Sequence, residues 1–159
     1  EAIFKTMNFN KSNTYYSGSG GALGWGMGAG LGIKLSNPDK PVICIMGDGS
    51  AMMTIQGLWT AANYNIPVVN IICNNSSYRV LKINMDYYKN HVLKNTSKET
   101  TKYIGMNFPE RINFEGISNS MGVPAQTISN PEKLSDAIKK SFDSGKPSLI
   151  DVHINGEIN

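Results

Sequence analysis

Cysteine is nearly absent: the 159 residues hold two, Cys44 and Cys73. Each lies in an apolar run, with no C-x-x-C spacing. That excludes a disulfide-stapled scaffold, a zinc finger and a cysteine-held iron–sulfur cluster. Charge is scarce as well, at 17% of residues, with an excess of only +3. The lysines are scattered rather than gathered in a stripe, so no nucleic-acid partner is expected. No apolar run reaches the roughly 18 residues of a membrane span, and no signal-peptide pattern is visible. The expectation is a cytoplasmic protein with no membrane partner. A Walker-type phosphate loop is excluded too, because no G-x-x-x-x-G-K-[ST] occurs.

What remains is a chain with 40% hydrophobic residues and 16 glycines. At this length folding buries roughly 68–70% of the unfolded surface, enough for one core without staples. Residues 1–159 therefore read as a single domain. Half of the glycines fall between Gly18 and Gly32, and from Leu23 onward this stretch reads as a small-residue helix that runs to Leu35 and stops at Asn37-Pro38. A glycine inside a helix costs about 1 kcal/mol against alanine. So many of them predict that another element or a ligand approaches that backbone closely.

Pro41–Met46 and Pro67–Cys73 are short apolar runs bounded by turn residues, and both read as buried strands. Between them a helix is expected from Ala51 to Asn65, capped by Ser50, with Ile55, Leu58, Trp59 and Ala62 on its buried face. Met52 and Met53 read as core. Tyr88–Lys102 reads as a lysine-rich surface loop or lid, with His91 solvated. A short helix is expected over Asn113–Met121 and a strand over Pro124–Ile128. Pro131–Ser144 forms an amphipathic helix with Leu134, Ala137, Ile138 and Phe142 on one stripe. Leu149–Ile154 closes as a fourth strand, with His153 structural. Alternating helices and continuously apolar strands predict an α/β, doubly wound, mostly parallel sheet with helices on both faces.

Ligands in such sheets sit at the carboxyl ends of strands. Two of those ends carry polar groups that a plain turn does not need: Gly47-Asp48-Gly49-Ser50 and Asn74-Asn75-Ser76-Ser77. Asp48 and Asn75 are 27 positions apart, one strand–helix–strand circuit, so adjacent parallel strands would bring them together. A carboxylate, a carboxamide oxygen and a backbone carbonyl are hard ligands suited to Mg²⁺ with phosphate oxygens. A helix N-terminus after Ser50 suits a diphosphate, and Gly47 and Gly49 allow close approach. From the residues alone, this is a metal–diphosphate site.

The pattern resembles the diphosphate-binding motif of thiamine-diphosphate (ThDP) enzymes: Gly-Asp-Gly and then, one circuit later, Asn-Asn. Ser19–Gly24, Leu58–Ala62, Tyr64–Pro67 and Pro147–Val152 extend the likeness over nearly the whole chain, to the C-terminal cofactor domain of that superfamily. The benzoylformate decarboxylase and acetolactate synthase group is the most similar branch. The resemblance implies ThDP and Mg²⁺ as cofactors. Asp48 and Asn75 would hold the metal by side chain, and Ser77 by its main-chain carbonyl. Gly47, Gly49, Ser50 and Ala51 would line the diphosphate, with Tyr78 nearby. Leu23 would prop the cofactor into its bent shape, and the Gly21 carbonyl would accept from the 4′-amino group. That bend sets the 4′-nitrogen against C2, the carbon that attacks a 2-oxo acid, and Leu81 would face that substrate. Gly28-Ala29-Gly30 and Ser76-Ser77 depart from the commoner pattern, which has a proline and a glycine-containing pair there.

In this superfamily an activating glutamate comes from a pyrimidine-binding domain, usually on another subunit. Glu99, Glu110 and Glu115 do not sit in a matching context, so no catalytic residue is assigned within the chain. The expectation is the C-terminal part of a longer enzyme, or a separate subunit, that decarboxylates or ligates a small 2-oxo acid. Its partners would be a pyrimidine-binding domain in the same or another chain and further copies in a dimer or tetramer. Leu23, Trp25 and Leu81 would then form an exposed apolar face. Two alternatives stand beside it: a non-catalytic ThDP-binding subunit, and a nicotinamide-dependent oxidoreductase. The second rests on Gly24, Gly26 and Ala29 matching G-x-G-x-x-A, a fingerprint that requires a strand directly before it.

Overall fold

The computed structural model describes residues 5–94 and 102–157. Four parallel strands form one sheet in the order β1-β2-β4-β3. They are β1 (Ile43–Gly47), β2 (Val69–Asn74), β3 (Ala125–Ile128) and β4 (Ser148–His153). The connecting helices are α1 (Trp25–Ser36), a single turn α2 (Asp48–Ala51), α3 (Gly57–Asn63), α4 (Arg79–Tyr87), α5 (Phe114–Ser120) and α6 (Leu134–Asp143).

Side-chain alternation along the strands divides the core in two. Cys44, Met46, Val68, Ile72 and Leu149 meet Met27 and Leu31 of α1, Leu58 and Ala61 of α3 and Phe114 of α5 on one face. Val69, Ile71, Ile128 and Ile150 meet Ala137 of α6 on the other, flanked by Leu134, Ile138 and Phe142 as the helical stripe predicts. The chain steps outward from β1 to β2 and past β4 to β3 with its helices on the first face. It then turns back to β4 with α6 on the second. A right-handed crossover requires that change of face when the direction reverses. Helices thus cover both faces of a parallel sheet.

Coverage is uneven. On the α6 face Ile43 and Ile45 of edge strand β1 remain 41% and 45% exposed, because α6 reaches only the strands beyond. The expectation of a continuously buried strand therefore fails at β1, which alternates exposed and buried.

The expected helix from Ala51 to Asn65 is also broken. Asp48–Ala51 makes one turn, Met52–Gln56 forms further turns, and the helix restarts at Gly57. Gly47, not Ser50, occupies the N-cap of α2. The restart resets the helical phase: Leu58 and Ala61 are buried while Trp59 is 57% exposed. Met52 and Met53 lie on the outside of the turns and are exposed rather than core.

The predicted close approach to the glycine helix is real. A Cβ at Gly30 would collide with Cys44 Sγ, and one at Gly26 would come within 3.1 Å of Met46 Cγ. Gly28 and Gly32 face open space. Burial pushes the Cys44 thiol up to about 11, as befits a small apolar core residue. Cys73 is only half-buried; burial, and then the Asp48 charge, raise its pKa. No strand precedes Gly24 among the described residues; a 3₁₀ turn, Ser19–Gly21, does. The nicotinamide fingerprint thus lacks its structural context. Tyr88–Val92 continues α4 as a π turn, with His91 exposed and stacked on Tyr87 at 4.5 Å. Residues 95–101 of the lysine-rich stretch, Glu99 included, lie outside the described residues.

Candidate functional site

Register pairs Gly47 with Cys73, so β1 and β2 end side by side. Asp48 follows the first strand end and is only 2% exposed. Its Oδ1 accepts from the Gly49 N–H at 2.8 Å and its Oδ2 from the Asn75 N–H at 3.1 Å. The carboxylate therefore ties the two loops together. Among the described residues no cationic side chain pairs with it. Each oxygen keeps a further lone pair, and a buried anion without a counter-charge is the setting that a bound cation relieves.

Asn75 Oδ1 accepts from the Ser77 N–H at 2.9 Å, closing a tight turn at Ser76. Ser76 holds a φ of +54°, a left-handed conformation that favours glycine. This accounts for the glycine that is commoner in the resembling motif. Ser77 is buried, and an antiparallel bridge to Asn107 fixes its backbone. Around that bridge Tyr78 N–H donates to Met106 O and Phe108 N–H to Ser76 O, both at 2.9 Å. Lys82, itself buried, donates from Nζ to Asn107 Oδ1 at 2.5 Å. Nothing in the sequence singled out Met106–Phe108 as the clasp of this loop, since pairing across 30 residues leaves no local pattern.

Tyr78 lies edge-on to Phe108 at 4.8 Å and covers Gly49, where a Cβ would sit 2.6 Å from Tyr78 Cε1. Ala51 is fully buried below them. Ser50 Oγ accepts the Gly24 N–H at 2.9 Å, which leaves its own hydroxyl proton free to donate outward. The first-turn N–H of Ser50 has no intrahelical acceptor either. One turn of helix carries a smaller dipole than the long helix expected here, so the N–H groups themselves make up most of the anion-binding character. Gly21, in the left-handed region at φ +66°, and Leu23, 65% exposed, stand on the turn that Gly24 joins to Ser50. Leu81 is 50% exposed on the first turn of α4.

A polar cluster backs the Asn-Asn loop. Buried Asn74 donates from Nδ2 to Ile112 O at 3.0 Å and to Asp151 Oδ2 at 3.3 Å, and Arg111 Nη1 donates to the Asn74 carbonyl. His153 Nε2 lies 3.3 Å from the same Asp151 oxygen. Asp151 Oδ1 has no partner among the described residues. Burial raises the Asp151 carboxyl above its ordinary 3.8, with Asn74, His153 and Arg111 pulling the other way. A raised folded-state pKa favours folding below that ordinary value, and the advantage is lost as pH rises through the shifted one. Asp151→Asn should therefore show a smaller loss of stability than the parent chain as pH rises above the ordinary carboxylate value of 3.8. Urea unfolding at several pH values measures this, and identical pH profiles would contradict it.

The family model described as the thiamine pyrophosphate enzyme C-terminal TPP-binding domain matches residues 2–152. This chain belongs to that family. Thiamine pyrophosphate is ThDP, so the ThDP-binding fold and its cofactor follow from membership. Among the similar proteins, an acetolactate synthase large subunit of Haemophilus influenzae is 35% identical over 87% of the chain and 22% of its own length. A benzoylformate decarboxylase of Pseudomonas aeruginosa is 32% identical over 95% of the chain and 26% of its own length. The solved structure of a ThDP-dependent 4-hydroxybenzoylformate decarboxylase from Rhodococcus jostii superposes with a TM-score of 0.71 at 37% identity, covering 85% of this chain and 24% of that one. The TPP-binding domain thus spans about a quarter of the length of the curated relatives it matches.

Proposed function

We propose that this TPP-binding domain holds the diphosphate of ThDP through Mg²⁺ as the cofactor domain of a 2-oxo acid decarboxylase or carboligase. The observation that carries the reading is Asp48: a buried carboxylate, joined to the Asn75 loop at 3.1 Å, with no cationic side chain beside it among the described residues. In this reading Asp48, the Asn75 side chain and the Ser77 carbonyl ligate the metal. Gly47, Gly49, Ser50 and Ala51 line the diphosphate under Tyr78. Gly21 and Leu23 orient the rings, and Leu81 faces the substrate. When bound, ThDP supplies the electron sink for loss of CO₂ from a 2-oxo acid.

In this reading the chain's own residues bind and orient, and none of the described ones is assigned to activate the ring. That group would come from a pyrimidine-binding domain, in the same or another chain. The exposed apolar side chains of Leu23, Trp25 and Leu81 give such a domain a surface to cover, within a dimer or tetramer. No helix among the described residues is long and apolar enough to cross a membrane. Of the two assemblies, an enzyme domain is proposed over a non-catalytic subunit because the acetolactate synthase and benzoylformate decarboxylase relatives support it.

Calorimetric titration of the chain with ThDP tests the metal directly. Mg²⁺ should strengthen binding by at least about 50-fold over EDTA-treated protein, since hard oxygen ligands and a diphosphate share the ion. Affinity indifferent to EDTA would remove Mg²⁺ from the reading. The chain alone should release no CO₂ from 2-oxo acids until a pyrimidine-binding domain is added.

A further inference from the structure

Gly24 has both of its backbone groups held by the proposed diphosphate segment. Its N–H donates to Ser50 Oγ at 2.9 Å, and its carbonyl accepts from Thr54 Oγ1 at 2.7 Å. Gly24 is buried and in the left-handed region at φ +84°. A Cβ there would sit 2.8 Å from Thr54 Cγ2 and 2.9 Å from Met53 Cβ. The peptide is therefore pressed against the turns that follow α2 and gripped from two sides. Leu23 precedes it directly and carries its side chain into the open, on an open groove of about 570 Å³ that Thr54 also lines.

We propose that Thr54 is a positioning residue that sets the span between the diphosphate turn and Leu23. The inference rests on the ThDP reading of the site and assigns a role to a side chain that touches neither metal nor diphosphate in it. Gly24 also caps α1, whose first turn shares its carbonyl; the bonds from Ser50 and Thr54 tie that helix start to the turns after α2. Without the Thr54 hydroxyl that carbonyl keeps only its helical partner, and the tie between α1 and the turns loosens directly beside Leu23. The loop Met52–Gln56, which interrupts the helix expected there, is what aims Thr54 back at Gly24. An unbroken helix would carry residue 54 onward along its axis.

The test separates the two halves of the ligand. Thr54→Val keeps the shape and removes the hydroxyl; Thr54→Ala removes both hydroxyl and methyl; Thr54→Ser keeps the hydroxyl. Each full-length variant is titrated calorimetrically with ThDP and with inorganic pyrophosphate, both with Mg²⁺. Thr54→Val and Thr54→Ala should bind ThDP about 10-fold more weakly while pyrophosphate affinity stays within about twofold, as loss of one hydrogen bond to a positioned group predicts. Thr54→Ser should restore ThDP binding. Equal loss for both ligands would make Thr54 a plain support of the diphosphate turn and overturn the proposal, as would unchanged ThDP affinity or failure of the serine to rescue. If the parent chain binds pyrophosphate with Mg²⁺ but not ThDP, the functional reading fails instead, before any variant is compared.

Discussion

Asp48→Ala should lower the affinity of the chain for ThDP with Mg²⁺ by about 100-fold or more, while the apo fold survives. Even groups that only orient metal ligands cost 10–100-fold when removed, and Asp48 is the sole carboxylate of the proposed set. The same substitution leaves the Gly49 and Asn75 N–H groups without their acceptor, at about 1–3 kcal/mol each if water cannot reach them. Against that, it removes a buried charge that lacks a counter-ion, which is unfavourable in the apo protein. The opposing terms are similar in size, so the apo chain should melt within a few degrees of the parent. The added Mg²⁺ and ThDP should stabilise the parent and not the variant. Calorimetry and thermal melting with and without both ligands read the two effects separately. A variant that still gains stability from Mg²⁺ and ThDP would place the metal elsewhere.

Gly30→Ala should destabilise the chain by about 2–3 kcal/mol, or roughly 5–10 °C in Tm, through overpacking against Cys44. Alanine is worth about 1 kcal/mol more than glycine inside a helix, so the clash must outweigh a real gain. Removing the sulfur reveals it: Gly30→Ala with Cys44→Ala should return to parent stability or exceed it, giving a coupling energy of about 2 kcal/mol. Gly28→Ala, which meets nothing within 4 Å, should show the propensity gain alone. Urea unfolding of the four proteins completes the cycle. Additive effects at positions 30 and 44 would show that the helix moves aside and that the close approach does not dictate the glycine.

Much of the site was legible because its parts are local. Gly47-Asp48-Gly49 and Asn74-Asn75 each follow an apolar run, and strand-end loops one circuit apart converge when strands are parallel and adjacent. The amphipathic stripe of α6 and the turn residues around each strand were equally plain. The errors share a cause: Trp59, Met52, Met53 and the capping role of Ser50 all depended on an unbroken helix after Asp48. Where that helix breaks, Ser50 and Thr54 bond to Gly24, a residue 26 and 30 positions away. The exposure of Ile43 and Ile45 likewise reflects how far α6 reaches, which β1 itself does not encode.

The amino-acid order by itself pointed away from a cysteine-stapled scaffold, determined that an α/β sheet forms, and placed hard oxygen donor groups after its strands. Those properties follow from residue chemistry and from periodicity over a few turns. Only the tertiary structure decided that Asp48 is buried with no counter-charge among the described residues, that Met106–Phe108 clasps the Ser77 loop, and that Thr54 grips Gly24. Each of these is a contact between segments far apart in the chain, set by which atoms the packed sheet and helices bring within hydrogen-bond reach. The two cysteines divide the same way: their scarcity excluded whole classes of protein, but only packing showed that Cys44 fills the space its facing glycine leaves open.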